Sequence, residues 1–184
     1  KPTKRPLVKW LMVIIAFFLI CVSLLRPLGE TYEEEVNGSG LDLVVALDIS
    51  KSMNACDIDG NSRLEVAKAL LRNMLNGLKD DRIGLVVFAG ETMVQSPLSY
   101  DKNSFLTFLD RVNPALLSEQ GTNLGGAIQT SIDRFSTTAS QTKVIVLISD
   151  GEDPDSSHIN SAIQEAAKKN IQIFTVGIGS EKGG

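Results

Sequence analysis

Residues 43–53, LVVALDISKSM, decide the fold of this 184-residue chain. The apolar run ends at Asp48, and two serines follow at alternate positions, Ser50 and Ser52. A short, continuous apolar run is typical of a strand that is buried on both faces, as the strands of parallel sheets are. The stretch therefore predicts a buried strand whose carboxyl end carries a cluster of small polar side chains.

Further apolar runs alternate with helical patterns along the rest of the chain. Strands are predicted over 41–47, 82–89, 93–98, 144–148 and 171–178. Helices are predicted after the capping box Ser62–Glu65, over 101–112, over 124–135 and over 159–167. Pro97 restricts the third of these strands to a sheet edge. The pattern predicts an α/β fold, a doubly wound (Rossmann-like), mostly parallel sheet with one short antiparallel edge strand.

The apolar run WLMVIIAFFLICVSLL, residues 10–25, predicts a transmembrane helix in front of this domain. A cleaved signal peptide would need a small-x-small site after the run, and RPLGETYEEE offers none. The division predicted is a basic cytoplasmic flank over 1–9, a membrane helix over 10–28, a linker over 29–40 and a C-terminally incomplete domain over 41–184. Because the bases precede the apolar run, we expect the domain on the extracytoplasmic side of a bacterial inner membrane, with a single pass.

The charge distribution excludes nucleic acid as a partner. Residues 1–28 hold five of the 18 bases and none of the 22 acids, so the rest of the chain has a net charge of −9. Binding to nucleic acid needs a basic surface that neutralises phosphates. The two cysteines and the single histidine lack the spacing of a zinc site.

Five oxygen-bearing side chains are the candidate metal ligands. Asp48 and Asp150 end two buried strands, Ser50 and Ser52 follow Asp48, and Thr122 precedes a helix. In an open doubly wound sheet, ligands bind at the carboxyl ends of strands where the strand order reverses, and a 3-2-1-4-5 order would make the strands of the two acids neighbours there. A set made only of oxygen ligands suits Mg²⁺, Mn²⁺ or Ca²⁺.

The segments LVVALDISKSM, GTNLGGAI and VIVLISDGED together resemble the von Willebrand factor A family with its metal-ion-dependent adhesion site, over about residues 41–180. The resemblance implies that Ser50, Ser52 and Thr122 supply hydroxyl ligands and that Asp48 and Asp150 act directly or through water. It also implies that a partner protein offers a carboxylate to the cation.

A narrower resemblance is to the membrane-anchored Bat aerotolerance proteins of bacteria, carried by DRIGLVVFAGETMVQSPLSYD, by the Arg26–Pro27 pair and by TVGIGSEKGG. It implies sibling Bat proteins and a MoxR-type AAA+ ATPase as partners.

Three other functions compete with this interpretation. An enzyme is not expected, since Ser50 replaces the second Asp of a haloacid-type phosphatase motif and no GxSxG elbow accompanies His158. A cytoplasmic domain of the metal-chelatase kind would share the site but face the other side of the membrane. A membrane scaffold without metal would have a degenerate site, whereas the set here is complete.

Overall fold

The structure, a computed structural model, describes residues 5–24, 40–136, 141–151 and 158–180. The chain separates into two compact units, Lys1–Asn37 and Gly38–Gly184. The predicted linker over 29–40 lies almost wholly outside the described residues, as do the first four residues of the predicted basic flank.

The second unit is built on a five-stranded sheet in the order β3-β2-β1-β4-β5. Its strands are β1 (Leu41–Asp48), β2 (Arg82–Phe88), β3 (Thr92–Ser99), β4 (Thr142–Ser149) and β5 (Ile171–Gly177). All neighbouring pairs are parallel except β2 with β3, so the antiparallel edge strand is confirmed. The strand order matches the one that places β1 and β4 side by side.

Among the residues that the structure describes, four α-helices accompany the sheet, namely α2 (Arg63–Leu75), α3 (Lys102–Arg111), α4 (Leu124–Ile132) and α5 (Ile159–Lys168). Helix α2 begins where predicted, because Ser62 accepts from the Glu65 backbone N–H and Glu65 accepts from the Ser62 backbone N–H. Asp101 caps α3 by accepting from the backbone N–H groups of Asn103 and Ser104, and Asn123 caps α4 by accepting from the Gly126 backbone N–H.

The core lies on both faces of the sheet because β1 and β2 are buried along almost their whole length. One face packs Leu47, Leu71 and Phe105 with their neighbours, and the other packs Val44, Ile132 and Ile145. Helix layers on two faces are what continuous apolar strands require, since alternate side chains of a strand point to opposite sides.

The first unit contains helix α1 (Arg5–Leu24). Within the described residues, no helix is long and apolar enough to cross a membrane. The prediction of a transmembrane helix before the α/β domain is therefore wrong. Arg5 and Lys9 leave residues 10–24 as the uncharged part of α1, and at 1.5 Å per residue these span about 22 Å, whereas a bilayer core is about 30 Å thick.

Candidate metal centre

Asp48 is the last residue of β1 and is completely buried. Its Oδ1 accepts a 2.8 Å hydrogen bond from the Ser50 backbone N–H, and its Oδ2 accepts a 2.7 Å bond from the Ser149 hydroxyl. Burial raises the pKa of Asp48 and the nearby charge of Asp150 raises it further, while the bonds from Ser149 and Ser50 act in the opposite direction. The carboxylate is thus held in place but poorly compensated as an anion.

The two serines after Asp48 face each other. The hydroxyl oxygens of Ser50 and Ser52 are 2.9 Å apart, and Ser50 is buried. A short 3₁₀-helix, Lys51–Asn54, begins between them. The alternate spacing predicted from the sequence therefore brings both hydroxyls to one side of the turn, next to Asp48.

Asp150 follows β4, whose residue Ile148 pairs with Leu47 of β1. Its side chain is only 2% exposed. The Oδ2 atom accepts a 2.9 Å bond from Arg63 Nη1, but Oδ1 is buried and none of the described residues donates a hydrogen bond to it. A buried carboxylate oxygen without a donor costs free energy unless a cation or water compensates it.

Thr122 is also buried, in the loop before α4. The next residue, Asn123, donates its backbone N–H to the carbonyl of Ala89, at 2.8 Å, directly after β2. Glu91 holds the start of the same loop by hydrogen bonding. Its Oε1 accepts hydrogen bonds from the backbone N–H groups of Ser118 and Glu119. The loop is thereby attached to the carboxyl end of β2, the strand that pairs with β1 at Asp48.

Gly90 makes this attachment sterically possible. Its own N–H donates to the Glu119 carbonyl, and a Cβ at this position would lie 2.6 Å from the backbone oxygen of Gln120. Any larger residue would push the loop that carries Thr122 away from the sheet.

Three further residues, which the sequence analysis did not single out, surround the two acids. Ser149 donates to Asp48 and also accepts from the Gly151 backbone N–H. Arg63 bonds Asp150, and both oxygens of Asp57 accept from Arg63 at 3.0 and 2.8 Å. Only the position of Ser149, one residue before Asp150 at the end of a buried strand, offers a signal in the sequence.

The arrangement fits a divalent cation held by oxygen ligands. The negative charges of the two buried carboxylates are only partly neutralised by their hydrogen-bond donors. Together with the paired hydroxyls of Ser50 and Ser52, their oxygens are hard donors of the kind that divalent cations prefer. Within the described residues, no group of three or more His, Cys, Asp or Glu side chains forms a metal site of the acid-rich or zinc type. Any cation here would therefore depend on hydroxyl ligands for much of its coordination.

Lys51, Cys56 and His158 are not part of this cluster. Lys51 is exposed, and Cys56 is an exposed free thiol whose sulfur bonds the Asn54 carbonyl. His158 stands at the start of α5, and its backbone approaches Gly125 of α4 so closely that a Cβ there would lie 2.9 Å away. Its place in the helix contact gives His158 a structural role.

Comparison with known proteins gives a consistent result. The family model of the von Willebrand factor type A domain matches residues 42–183. The crystal structure of the conserved hypothetical protein BatB from Bacteroides thetaiotaomicron is 37% identical and covers 78% of this chain and 69% of its own, with a TM-score of 0.73. That of an aerotolerance-related membrane protein from Bacteroides fragilis is 36% identical, with coverages of 76% and 68% and a TM-score of 0.71.

A more distant structure shares the fold alone. Proximal thread matrix protein 1 from the mussel byssus, described with a zinc-occupied MIDAS motif, is 16% identical and covers 77% of this chain and 38% of its own, with a TM-score of 0.65. The chain spans about half the length of the curated relatives that it matches, 42% of one and 56% of another.

Proposed function

Since this chain belongs to the von Willebrand factor type A domain family, and is similar to the Bat proteins, we propose that it is a non-enzymatic interaction domain that holds a divalent cation and uses it to bind a partner protein. The observation that carries the proposal is the buried Oδ1 of Asp150, without a donor among the described residues, close to the poorly compensated carboxylate of Asp48.

The proposed ligands are the five residues Asp48, Ser50, Ser52, Thr122 and Asp150. The two acids balance the charge of a divalent ion, and the hydroxyls of the three remaining residues complete a set of hard oxygen donors. Mg²⁺ is the proposed ion, with Mn²⁺ as its closest substitute, because neither carboxylate has both oxygens free for the bidentate contacts that Ca²⁺ commonly uses.

The chemistry that a bound cation supplies is an electrophilic position for an oxygen ligand from outside. The chain's own contribution is to limit the anionic ligands to two and to keep the site dry, since Asp48, Ser50 and Thr122 are all buried. A carboxylate of a partner protein is the ligand that suits such a position best. We therefore propose an acidic side chain as the recognition element of the partner.

The cellular setting proposed here rests on similarity. An aerotolerance-related membrane protein is among the similar structures, and this supports a bacterial stress or aerotolerance complex at a membrane. Sibling Bat proteins and a MoxR-type AAA+ ATPase are the proposed partners. The extracytoplasmic position of the domain was expected only because a transmembrane helix was predicted, so it is not proposed here.

Cation binding is tested by titrating the purified full chain with Mn²⁺ and Mg²⁺ in a calorimeter. We expect saturable binding by the parent and loss of binding in Asp48→Ala, because that change removes one of the two anionic ligands. Asp110→Asn, which alters an exposed carboxylate on α3, is the control and should bind as the parent does.

Two results would contradict the proposal. A folded parent chain that binds neither ion would leave a scaffold without metal as the better interpretation. Equal binding by the parent and by Asp48→Ala would place the ion somewhere else. If binding is lost as expected, candidate partners are proteins that the immobilised parent chain retains in Mg²⁺ and releases when EDTA is added.

A further inference from the structure

Arg63 connects two acids that lie far apart in the sequence. It is the first residue of α2, and its side chain is only 10% exposed. Its Nε and Nη2 donate to the two oxygens of Asp57, at 3.0 and 2.8 Å, while Nη1 donates to Oδ2 of Asp150, at 2.9 Å. The planar guanidinium is well suited to such a fork, since it presents several donors in fixed directions.

The bond to Arg63 makes the two oxygens of Asp150 unequal. Oδ2 is engaged by the guanidinium, and Oδ1 is buried without a donor among the described residues. A carboxylate held in this way cannot turn to offer both oxygens to a cation. We propose that Arg63 is a positioning residue of the cation site, which presents Asp150 through Oδ1 alone and so sets both the affinity of the site and its choice of ion.

Asp57 is the anchor of this arrangement. It binds Arg63 through both oxygens and accepts a further bond from the Ser180 backbone N–H at 3.1 Å. The hydrogen bond with Arg63 holds the pKa of Asp57 well below its usual range. Because Asp57 neutralises Arg63, the pair fixes the direction of Asp150 without adding net positive charge beside a cation.

Positioning and simple electrostatics predict opposite results for the loss of Arg63. If the guanidinium acted only through its charge, its removal would make the site more negative and would tighten cation binding. If it positions Asp150, its removal frees that carboxylate to rotate and weakens binding. Changes in the residues that orient metal ligands typically lower metal affinity by about 10-fold to 100-fold.

The choice of ion gives a second readout, one that a purely structural role would not alter. Mg²⁺ and Mn²⁺ suit single-oxygen contacts in a regular octahedron, whereas Ca²⁺ tolerates irregular and bidentate ligands. Once Oδ2 of Asp150 is released, Ca²⁺ can use both oxygens. We therefore expect the ratio of the Ca²⁺ to the Mn²⁺ dissociation constant to fall in variants of Arg63.

The inference rests on the proposed function, and the test is a set of Mn²⁺ and Ca²⁺ titrations of the full chain. Arg63→Gln should weaken Mn²⁺ binding by about tenfold or more and Ca²⁺ binding by less. Arg63→Lys keeps the charge but lacks the fork, so it should not restore the parent affinity. The control is Arg72→Gln, on the same helix but in an exposed pair with Asp110, and it should bind as the parent does.

The outcomes separate the inference from the function on which it rests. Unchanged or tighter Mn²⁺ binding in folded Arg63→Gln overturns the inference alone, and so does full rescue by Arg63→Lys. If Arg63→Gln does not fold, Asp57→Asn removes the anchor more gently, and unchanged Mn²⁺ affinity and ion preference in that variant overturn the inference as well. Failure of the parent chain to bind Mn²⁺ overturns the proposed function and, with it, the role of Arg63.

Discussion

At the scale of single residues, Ser149 shows how the chain controls its buried acid. Its hydroxyl donates to Asp48 Oδ2 and accepts from the Gly151 backbone N–H, so it connects the end of β4 with the end of β1. This bond is the largest of the effects that keep the pKa of Asp48 from rising further. Ser149 therefore supports the ionised form that a cation needs.

Replacement of this hydroxyl should weaken the site. We expect Ser149→Ala to lower Mn²⁺ affinity by about tenfold, because Asp48 loses both a fixed orientation and a bond to its charged form. Titration calorimetry at pH 7 measures the change. Ser131→Ala removes another buried hydroxyl, one that bonds Ala127 within α4, and should leave Mn²⁺ binding unchanged. Equal affinity in Ser149→Ala and the parent would remove Ser149 from the site.

At the scale of elements, caps decide where the helices begin and hence where the site residues stand. The capping box of Ser62 and Glu65 starts α2 at Arg63 and so places that side chain at the entrance of the helix, near Asp57. Asp101 does the same for α3, accepting from the backbone N–H groups of Asn103 and Ser104. Each cap satisfies donors that a helix otherwise leaves open.

The cap of α3 makes stability depend on pH. The Ser104 hydroxyl, ahead of the backbone bonds, lowers the pKa of Asp101. Since the pKa in the folded state is below the unfolded value of about 3.9, the stabilisation by charge is complete above that value and is lost as the pH falls through the folded-state pKa. We expect the parent to have a higher melting temperature than Asp101→Asn at pH 7. The difference between the two melting temperatures should disappear as the pH is lowered below about 4.

Thermal melts of both proteins, followed by circular dichroism across this pH range, provide the measurement. Asparagine is itself a good cap, so the comparison isolates the charge. A gap between the two melting temperatures that widened on acidification would contradict the assignment.

At the scale of the whole molecule, four separate segments meet at the candidate site. They follow β1, β2 and β4 or precede α4, and they are held together by hydrogen bonds between residues that are 27 to 101 positions apart, from Glu91 with Ser118 to Asp48 with Ser149. A ligand that binds only this folded arrangement stabilises the entire domain by mass action.

Divalent cations should therefore raise the melting temperature. At 100 times the dissociation constant the gain is about 2.7 kcal/mol, or roughly 5–10 °C for a domain of this size, and EDTA should reverse it. Asp48→Asn should show no such rise, because it removes one of the two anionic ligands. Differential scanning fluorimetry with and without Mg²⁺ tests both statements.

A rise of equal size in Asp48→Asn would show that the ion stabilises the protein from another place. The same comparison with Ca²⁺ in place of Mg²⁺ reports the ion preference that Arg63 is proposed to impose. Here the preference is measured by thermal stability and not by titration calorimetry.

Local rules predicted a large part of this protein. The continuous apolar runs of β1, β2 and β4 indicated burial on both faces, Pro97 indicated an edge strand, and the capping box indicated the start of α2; each is confirmed. These features depend on neighbours within a few residues, where periodicity and caps act directly. Asp48 and Asp150 were identified by a similar local rule, since each ends an apolar run. Thr122 was proposed because it precedes a helix and because its segment resembles the family, and the five ligands remain a prediction.

The prediction of a transmembrane helix was wrong because the uncharged part of α1 is too short. The run from Trp10 onward is apolar enough in composition, but Arg5 and Lys9 lie within the same helix and shorten its uncharged part. Composition over a window does not measure how far a helix reaches without a charge, and whether a helix can span the bilayer core depends on that distance.

By itself the sequence determined which segments become strands and helices and which acids and hydroxyls end the strands, because these follow from side chains a few positions apart. Only the tertiary structure decided how the acids are held. Arg63 and Asp150 are 87 positions apart, and Ser149 and Asp48 are 101 apart. No local pattern specifies which oxygen of a carboxylate is bonded and which is left free, since that depends on how distant segments pack around it.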